Sequence, residues 1–216
     1  MELLPMLPFW KDLTIPQQRL LQQSALLHSF KKGDIMDHGS TQCTGLEMIV
    51  SGQARIFLPS VQGNEITLYR LLEQDICILS AACMFHSLTF EISMEFEEDT
   101  TLLLLPKQVM AQLSAENCRV KDFTMELMAD RFSAVMNTMY EVMFSSNEHR
   151  LAQALCTQCQ LQETKELQLT HEQLAKELGT AREVISRLLK QFQKEGLIQQ
   201  SRGKIVLLDE TKLNAI

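Results

Sequence analysis

The sequence predicts an α+β chain: an antiparallel β-barrel or sandwich, then a long helix, then a winged helix-turn-helix. Three observations carry this prediction. Between Phe30 and Pro106, short apolar runs alternate with turn residues such as Lys31-Lys32-Gly33-Asp34 and Val50-Ser51-Gly52-Gln53. From 119 to 145, apolar residues recur every three or four positions. From Thr170 to Leu189, a cap, two amphipathic stretches and a turn glycine follow one another at helix-turn-helix spacing.

Taken in order, Trp10 to Leu27 reads as a short helical region. Ile15-Pro16 suits a helix start, where the missing N–H of proline leaves no bond unmade. Leu20, Leu21 and Ala25-Leu26-Leu27 give it a partial apolar stripe. Strand-like pieces follow at Leu46–Val50, Ala54–Leu58, Glu65–Leu71, Thr89–Phe96 and Thr101–Leu105. Phe90, Ile92, Met94 and Phe96 alternate with Glu91, Ser93, Glu95 and Glu97, the period of a half-buried strand. Several such strands at regular spacing indicate a closed or two-layered antiparallel sheet. The acidic run from Glu95 to Asp99 reads as a solvated strand end, or as a contact for RNA polymerase.

Past Pro106 the period becomes helical. Met125, Met128, Phe132, Val135, Met139 and Val142 are spaced 3, 4, 3, 4 and 3 apart. A seam of mean period 3.5 suits two helices wound around each other, so these six residues are the expected dimer interface. Phe123, Leu127 and Ala134 form a second strip able to pack on the sheet domain. An amphipathic helix lying on its own domain is the alternative. The stripe breaks at Ser145-Ser146-Asn147, which divides the chain into a sheet domain (1–118), a dimerisation helix (119–146) and a carboxyl-terminal domain (147–216). The last should hold helices at 148–160, 171–178 and 181–195 and a two-stranded wing at 197–208.

Thr170 and Gln173 form a capping box, and Gly179 can take the left-handed conformation that ends the first helix. Leu174, Ala175 and Leu178 give that helix an apolar face, and Val184, Ile185, Leu188, Leu189 and Phe192 give the second its own. Arg182, Glu183, Ser186 and Arg187 then lie toward the exposed amino-terminal end of the second helix, the part that enters a major groove. Thr170 and Thr180, with Arg202 and Lys204 at the wing tip, complete the expected DNA-facing set. Glu183 equally suits a capping role with Thr180, and Arg187 and Lys190 a solvated face.

Composition bounds the function. At about 150 residues per domain, 216 residues make one large domain or two small ones. With 45% hydrophobic and 22% charged residues, the chain is globular rather than disordered. It shows no membrane-length apolar segment and no secretory signal, so a cytoplasmic protein is expected. The net charge of −7 argues against nucleic acid until it is divided: residues 1–147 hold 10 Lys/Arg and 18 Asp/Glu, and residues 148–216 hold 10 and 9. No phosphate loop, Gly-x-Ser-x-Gly or positioned carboxylate pair occurs, so no enzyme is expected.

With these residues in place, the chain resembles the Crp/Fnr family of bacterial transcription regulators over nearly its whole length. The resemblance implies an effector-binding β-roll of the cyclic-nucleotide type, a dimerisation helix and a winged helix-turn-helix. It also implies a homodimer on a palindromic operator, with Arg182-Glu183-x-x-Ser186-Arg187 similar to the helix that reads half-sites of the TGTGA or TTGAT sort. Such half-sites lie about 34 Å apart. The family's cyclic-AMP binders carry Gly-Glu-Leu and, further on, Arg-Ser/Thr-Ala. Here Cys77-Ile78-Leu79 and Leu88-Thr89-Phe90 stand in those places, so Ile78 replaces the ribose-holding Glu and Leu88 the phosphate-holding Arg. A buried phosphate without its guanidinium costs several kcal/mol, which argues against cyclic AMP. The iron–sulfur members need cysteines near the amino terminus, and none precedes Cys43, so that cluster is not expected either. The stretch from Asp75 to Cys83 looks closest to a Crp/Fnr subgroup with an Asp-x-Cys-x-Leu-Ser-Ala-x-Cys pattern.

Cys77, Ile78, Leu79, Leu88, Thr89 and Phe90 are thus the expected effector-pocket residues. Cys77 and Cys83 read first as small buried apolar residues. Thiol redox sensing, or metal or haem ligation with Cys43 and His86, is the other reading. Cys156-x-x-Cys159 has no second pair to complete a zinc site. His38, His86 and His149 read as surface or turn residues. A runner-up function is a constitutive DNA binder whose pocket is filled by Ile78, Leu79, Leu88 and Phe90. From a different class, a cupin-like small-molecule or metal-binding module would use its helix-turn-helix for protein contacts.

Overall fold

The computed structural model describes residues 3–38, 45–60, 63–77 and 92–216, apart from the side chains of Asp37 and His38. It comprises two compact units, one of Met1–Leu58 with Leu68–Met136 and one of Pro59–Thr67 with Asn137–Ile216.

The first unit opens with two 3-10 turns, Leu4–Met6 and Trp10–Asp12, and helix α1, Ile15–Ser24. At the start of α1 the Gln17 side chain accepts from the Thr14 N–H at 3.0 Å. The helix is shorter than its stripe predicts. Ala25 is already extended, and Leu26–Phe30 form β1, paired antiparallel with Thr100–Pro106 (β8). Leu26 and Leu27 therefore belong to a ladder, whose long-range bonds outweigh a weak helical pattern.

The described strands between β1 and β8 are β2 (Ile35–His38), β3 (Gly45–Ser51), β4 (Ala54–Pro59), β5 (Glu65–Leu71), β6 (Ile76–Cys77) and β7 (Ile92–Phe96). They form two four-stranded antiparallel sheets, β1-β8-β3-β6 and β2-β7-β4-β5. Ile49, Ile56, Leu71, Ile92, Met94, Phe96 and Leu102 meet between the sheets, where the Phe30 and Phe96 rings stack with centroids 4.1 Å apart. This is the antiparallel β-roll.

The unbroken apolar run of β8 has a physical cause. Leu102 and Leu104 face the roll interior. Leu103 and Leu105 face a second core with Leu4, Phe9, Leu21, Met110, Leu113 and Val120. A strand covered on both faces loses its alternation. Strand β7 departs from simple alternation too, because Ser93 is buried along with its apolar neighbours. Three carboxylates of the acidic run that begins in β7 are matched by cations. Glu95 pairs with Arg55 at 2.6 Å, Glu97 with Arg70 at 2.8 Å and Asp99 with Lys31 at 2.7 Å.

Helix α2 (Lys107–Glu116) ends at an extended Asn117, whose Oδ1 accepts from the Arg119 N–H at 3.0 Å. That cap starts α3, Cys118–Phe144, 27 residues and about 40 Å long. Val120, Thr124 and Leu127 are buried, with Phe123 and Met128 packed beside them.

The second unit contains α4 (Asn147–Leu161), β9 (Glu166–Leu167), α5 (His171–Leu178), α6 (Arg182–Lys194), β10 (Ile198–Ser201), β11 (Lys204–Leu207) and α7 (Glu210–Leu213). The wing is a three-stranded sheet, β10-β11-β9, rather than a two-stranded one. The third strand is only two residues long, too short to leave a pattern. Leu151, Leu155, Leu174, Leu178, Ile185, Leu189, Phe192, Ile198 and Ile205 share one core.

Candidate nucleic-acid interface

Helix α5 is held at both ends. Thr170 Oγ1 accepts from the Gln173 N–H at 3.1 Å, and Gln173 Oε1 accepts from the Thr170 N–H at 2.8 Å. Gly179 ends the helix at φ +61°, a conformation that needs no Cβ. The guanidinium of Arg150, on α4, donates from Nη2 to the Leu178 carbonyl. This cation meets the negative end of the α5 dipole and satisfies a carbonyl the helix leaves orphaned. Its partner lies 28 residues away, and no local pattern announces such a contact.

Helix α6 buries Ile185, Leu188, Leu189 and Phe192. By helical geometry the opposite face carries Arg182, Glu183, Ser186, Arg187 and Lys190. All are exposed except Ser186, which is half-buried. Its N-cap is Ala181, with no side chain capping the end, so Thr180 and Glu183 do not form the cap that their spacing suggested. Ser186 Oγ lies 2.8 Å from Nδ1 of His171, the first residue of α5. Sequence spacing did not single out His171, because its partner sits on the neighbouring helix.

At the wing tip, Arg202 is exposed and precedes Gly203, which is left-handed at φ +74°. Lys204 Nζ lies 2.5 Å from Glu166 Oε1 on β9. The unit therefore carries Arg182, Arg187, Lys190 and Arg202 as exposed cations, while Lys204 is partly engaged. Thr170 is exposed, and Thr180 is half-buried.

In the roll, Cys77 is fully buried and pairs in register with Glu47, itself buried. Arg131 of α3 donates from Nη2 to the Ile76 carbonyl at 3.1 Å and lies 5.0 Å from the Tyr69 ring centroid. Burial, with Cys77 beside it, raises the Tyr69 phenol far above its ordinary value. A thiol this enclosed is a packing residue first, since reactive cysteines sit partly exposed in electropositive settings. Ile78, Leu79, Leu88, Thr89 and Phe90 lie outside the described residues, as do Cys43, Cys83 and His86. Among the described residues, no group of three His, Cys, Asp or Glu could hold a metal ion. Cys156 and Cys159 are buried on α4, and burial pushes the Cys159 thiol up to about 11.

Of the expected interface residues on α3, Met125, Phe132, Met139 and Val142 are exposed, Phe132 by 66%. Met128 and Val135 are half-buried.

Comparison with known proteins agrees with this architecture. Residues 149–216 match the Crp-like helix-turn-helix domain. A solved member of the crp/fnr family from Eubacterium rectale is similar at 41% identity and a TM-score of 0.93, covering 98% of each chain. FixK2 from Bradyrhizobium japonicum shares the fold at 17% identity and a TM-score of 0.68, covering 88% of this chain and 96% of its own. The c-di-GMP responsive global regulator CLP of Xanthomonas campestris does so at 16% identity and 0.75, covering 90% and 99%. Among curated proteins, none matches the sequence. A likeness of 41% identity along the whole chain is decisive, and the protein belongs to the Crp/Fnr family of transcriptional regulators, with a helix-turn-helix DNA-binding domain.

Proposed function

We propose that the protein binds a palindromic operator as a homodimer joined along α3, with α6 of each protomer in a major groove. The observation that carries this reading is the division of α6 into a buried apolar face and an exposed face bearing Arg182, Glu183, Arg187 and Lys190. Arg182 and Arg187 supply the fork geometry that pairs with guanine edges or phosphates, and Arg202 supplies a backbone contact from the wing. Glu183 suits the exocyclic amine of cytosine. Family membership removes the basis for a cupin-like module, because it supplies the helix-turn-helix with a DNA-binding role.

The roll would receive the signal. Arg131 ties α3 to the end of β6, next to the segment where Ile78 and Leu79 begin the expected pocket. A ligand that favours one placement of α3 shifts the population of the DNA-competent dimer by its differential affinity for the two states. The protein would act in the cytoplasm, and activation would add a contact with RNA polymerase. No described helix is long and apolar enough to cross a membrane.

The test begins with selection from a randomised duplex library by the full-length protein. The selected site should be a palindrome, and Arg182→Ala with Arg187→Ala should reduce its affinity at least a hundredfold in fluorescence anisotropy. Failure to enrich any sequence, or a double variant that binds as well as the parent, overturns the reading.

A further inference from the structure

We propose that His171 is a positioning residue that sets which hydrogen-bonding polarity Ser186 presents to a base edge. This rests on the reading of α6 as the DNA-reading helix. A serine hydroxyl has one proton and two lone pairs, and a free rotor lets it donate or accept as the partner demands. Ser186 is not a free rotor, because Nδ1 of His171 stands 2.8 Å from its oxygen. Both side chains are half-buried, and His171 is the first residue of a helix whose amino end is fixed by the Thr170–Gln173 box.

Two arrangements are open to the pair. With the proton on Nε2, Nδ1 accepts the Ser186 hydroxyl, and the serine keeps only lone pairs for DNA. It then selects a donor, the N6 amine of adenine or the N4 amine of cytosine. With the proton on Nδ1, the imidazole donates and the hydroxyl is released to donate. It then keeps its proton and one lone pair, so it can donate to guanine O6 or N7, thymine O4 or a phosphate oxygen, and it can still accept from a base amine. Only the first arrangement fixes the polarity, and it is the one that His171 is inferred to hold: the serine's single proton is spent on Nδ1, and only lone pairs remain for the base. A base that both polarities could tolerate is thereby discriminated without His171 touching DNA. Arg182 lies four residues before Ser186 and Lys190 four after, so the serine sits within the exposed polar face of α6.

The experiment uses the full-length protein and the duplex selected by the parent, together with a panel carrying each single base-pair change in one half-site. The parent should show one position where the preferred pair exceeds the others by about tenfold and where Ser186→Ala abolishes the preference. His171→Ala should flatten the preference at that same position and leave the others unchanged. The double variant should be no worse than either single one, because both remove one unit. His171→Asn can place an amide near the position of Nδ1, and it should restore much of the preference. A uniform loss on every duplex, with the preference pattern intact, would mean a merely structural role and overturns the proposal. So does a loss that adds to that of Ser186→Ala and lowers the salt slope by about one, the mark of His171 contacting a phosphate itself. If the parent enriches no sequence, the DNA-reading assignment of α6 fails first and takes this proposal with it. If the parent is selective but His171→Ala is too, this proposal alone fails.

Discussion

Arg150 shows how much one side chain can hold in place. Its guanidinium reaches from α4 to the last carbonyl of α5, just before the turn that leads into α6. A charge-assisted bond in a half-buried setting contributes about 2 kcal/mol, so Arg150→Ala should lower stability by that amount in urea denaturation. Arg150→Lys should recover part of it, because a single ammonium can still reach a carbonyl. Cys159 makes a pH-dependent contribution of the opposite chemical kind. Burial, reinforced by Cys156 and Glu210, raises its thiol from 9.0 to about 11. The fold favours the protonated thiol, so this contribution is intact below pH 9 and lost as the pH rises toward about 11. Urea midpoints of Cys159→Ala should therefore fall less than those of the parent between about pH 9 and about pH 11. An equal fall would show that the thiol titrates alike in both states.

At the scale of elements, α3 is the part whose exposed surface asks for a partner. Phe132 and Met139 stand out from a helix whose other strip, Phe123 and Leu127, is already packed on its own unit. An exposed apolar seam of this length fits a second copy of the same helix. Phe132→Glu with Met139→Glu should convert a particle of twice 24.7 kDa into one of 24.7 kDa in light scattering, with helix content retained. The wing makes a smaller contribution. Arg202→Ala should weaken binding to all duplexes alike and reduce the slope of log affinity against log salt by about one. Legibility in the sequence also follows element by element. Helices α5 and α6 were readable because the Thr170–Gln173 box, the periodicity and Gly179 are all local signals. Strand β5, Glu65–Leu71, was readable to the residue, with the turn residues Gly63-Asn64 just before it. Strand β1 was not, because Leu26-Leu27 becomes a strand only through pairing with Leu104 and Leu103. The polar contacts of Arg150 and His171 were hidden for the same reason: each joins residues on different helices.

The net charge of the whole molecule misleads, and its distribution corrects it. An excess of eight carboxylates up to residue 147 repels a phosphate backbone, whereas residues 148–216 carry one net cation, with Arg182, Arg187, Lys190 and Arg202 exposed. A protein so divided gains little from long-range attraction to DNA, and its nonspecific affinity should be weak at physiological salt. On the proposed reading, specific binding then comes from two α6 helices engaged at once, which a dimer secures only if both half-sites face it. On B-DNA, half-sites one turn apart lie on the same face of the duplex, and about five extra base pairs between them rotate one to the far side. Inserting about five base pairs at the centre of the selected palindrome should therefore reduce affinity by about a thousandfold, to the level of a single half-site. Inserting about ten restores the face but lengthens the separation by another turn, so a dimer of fixed span should recover only part of the loss. Anisotropy titrations of the three duplexes at one salt concentration make the comparison. Equal affinity for all three would mean that each protomer binds alone, and α3 would then have to be covered by something other than a second copy in the DNA-bound state.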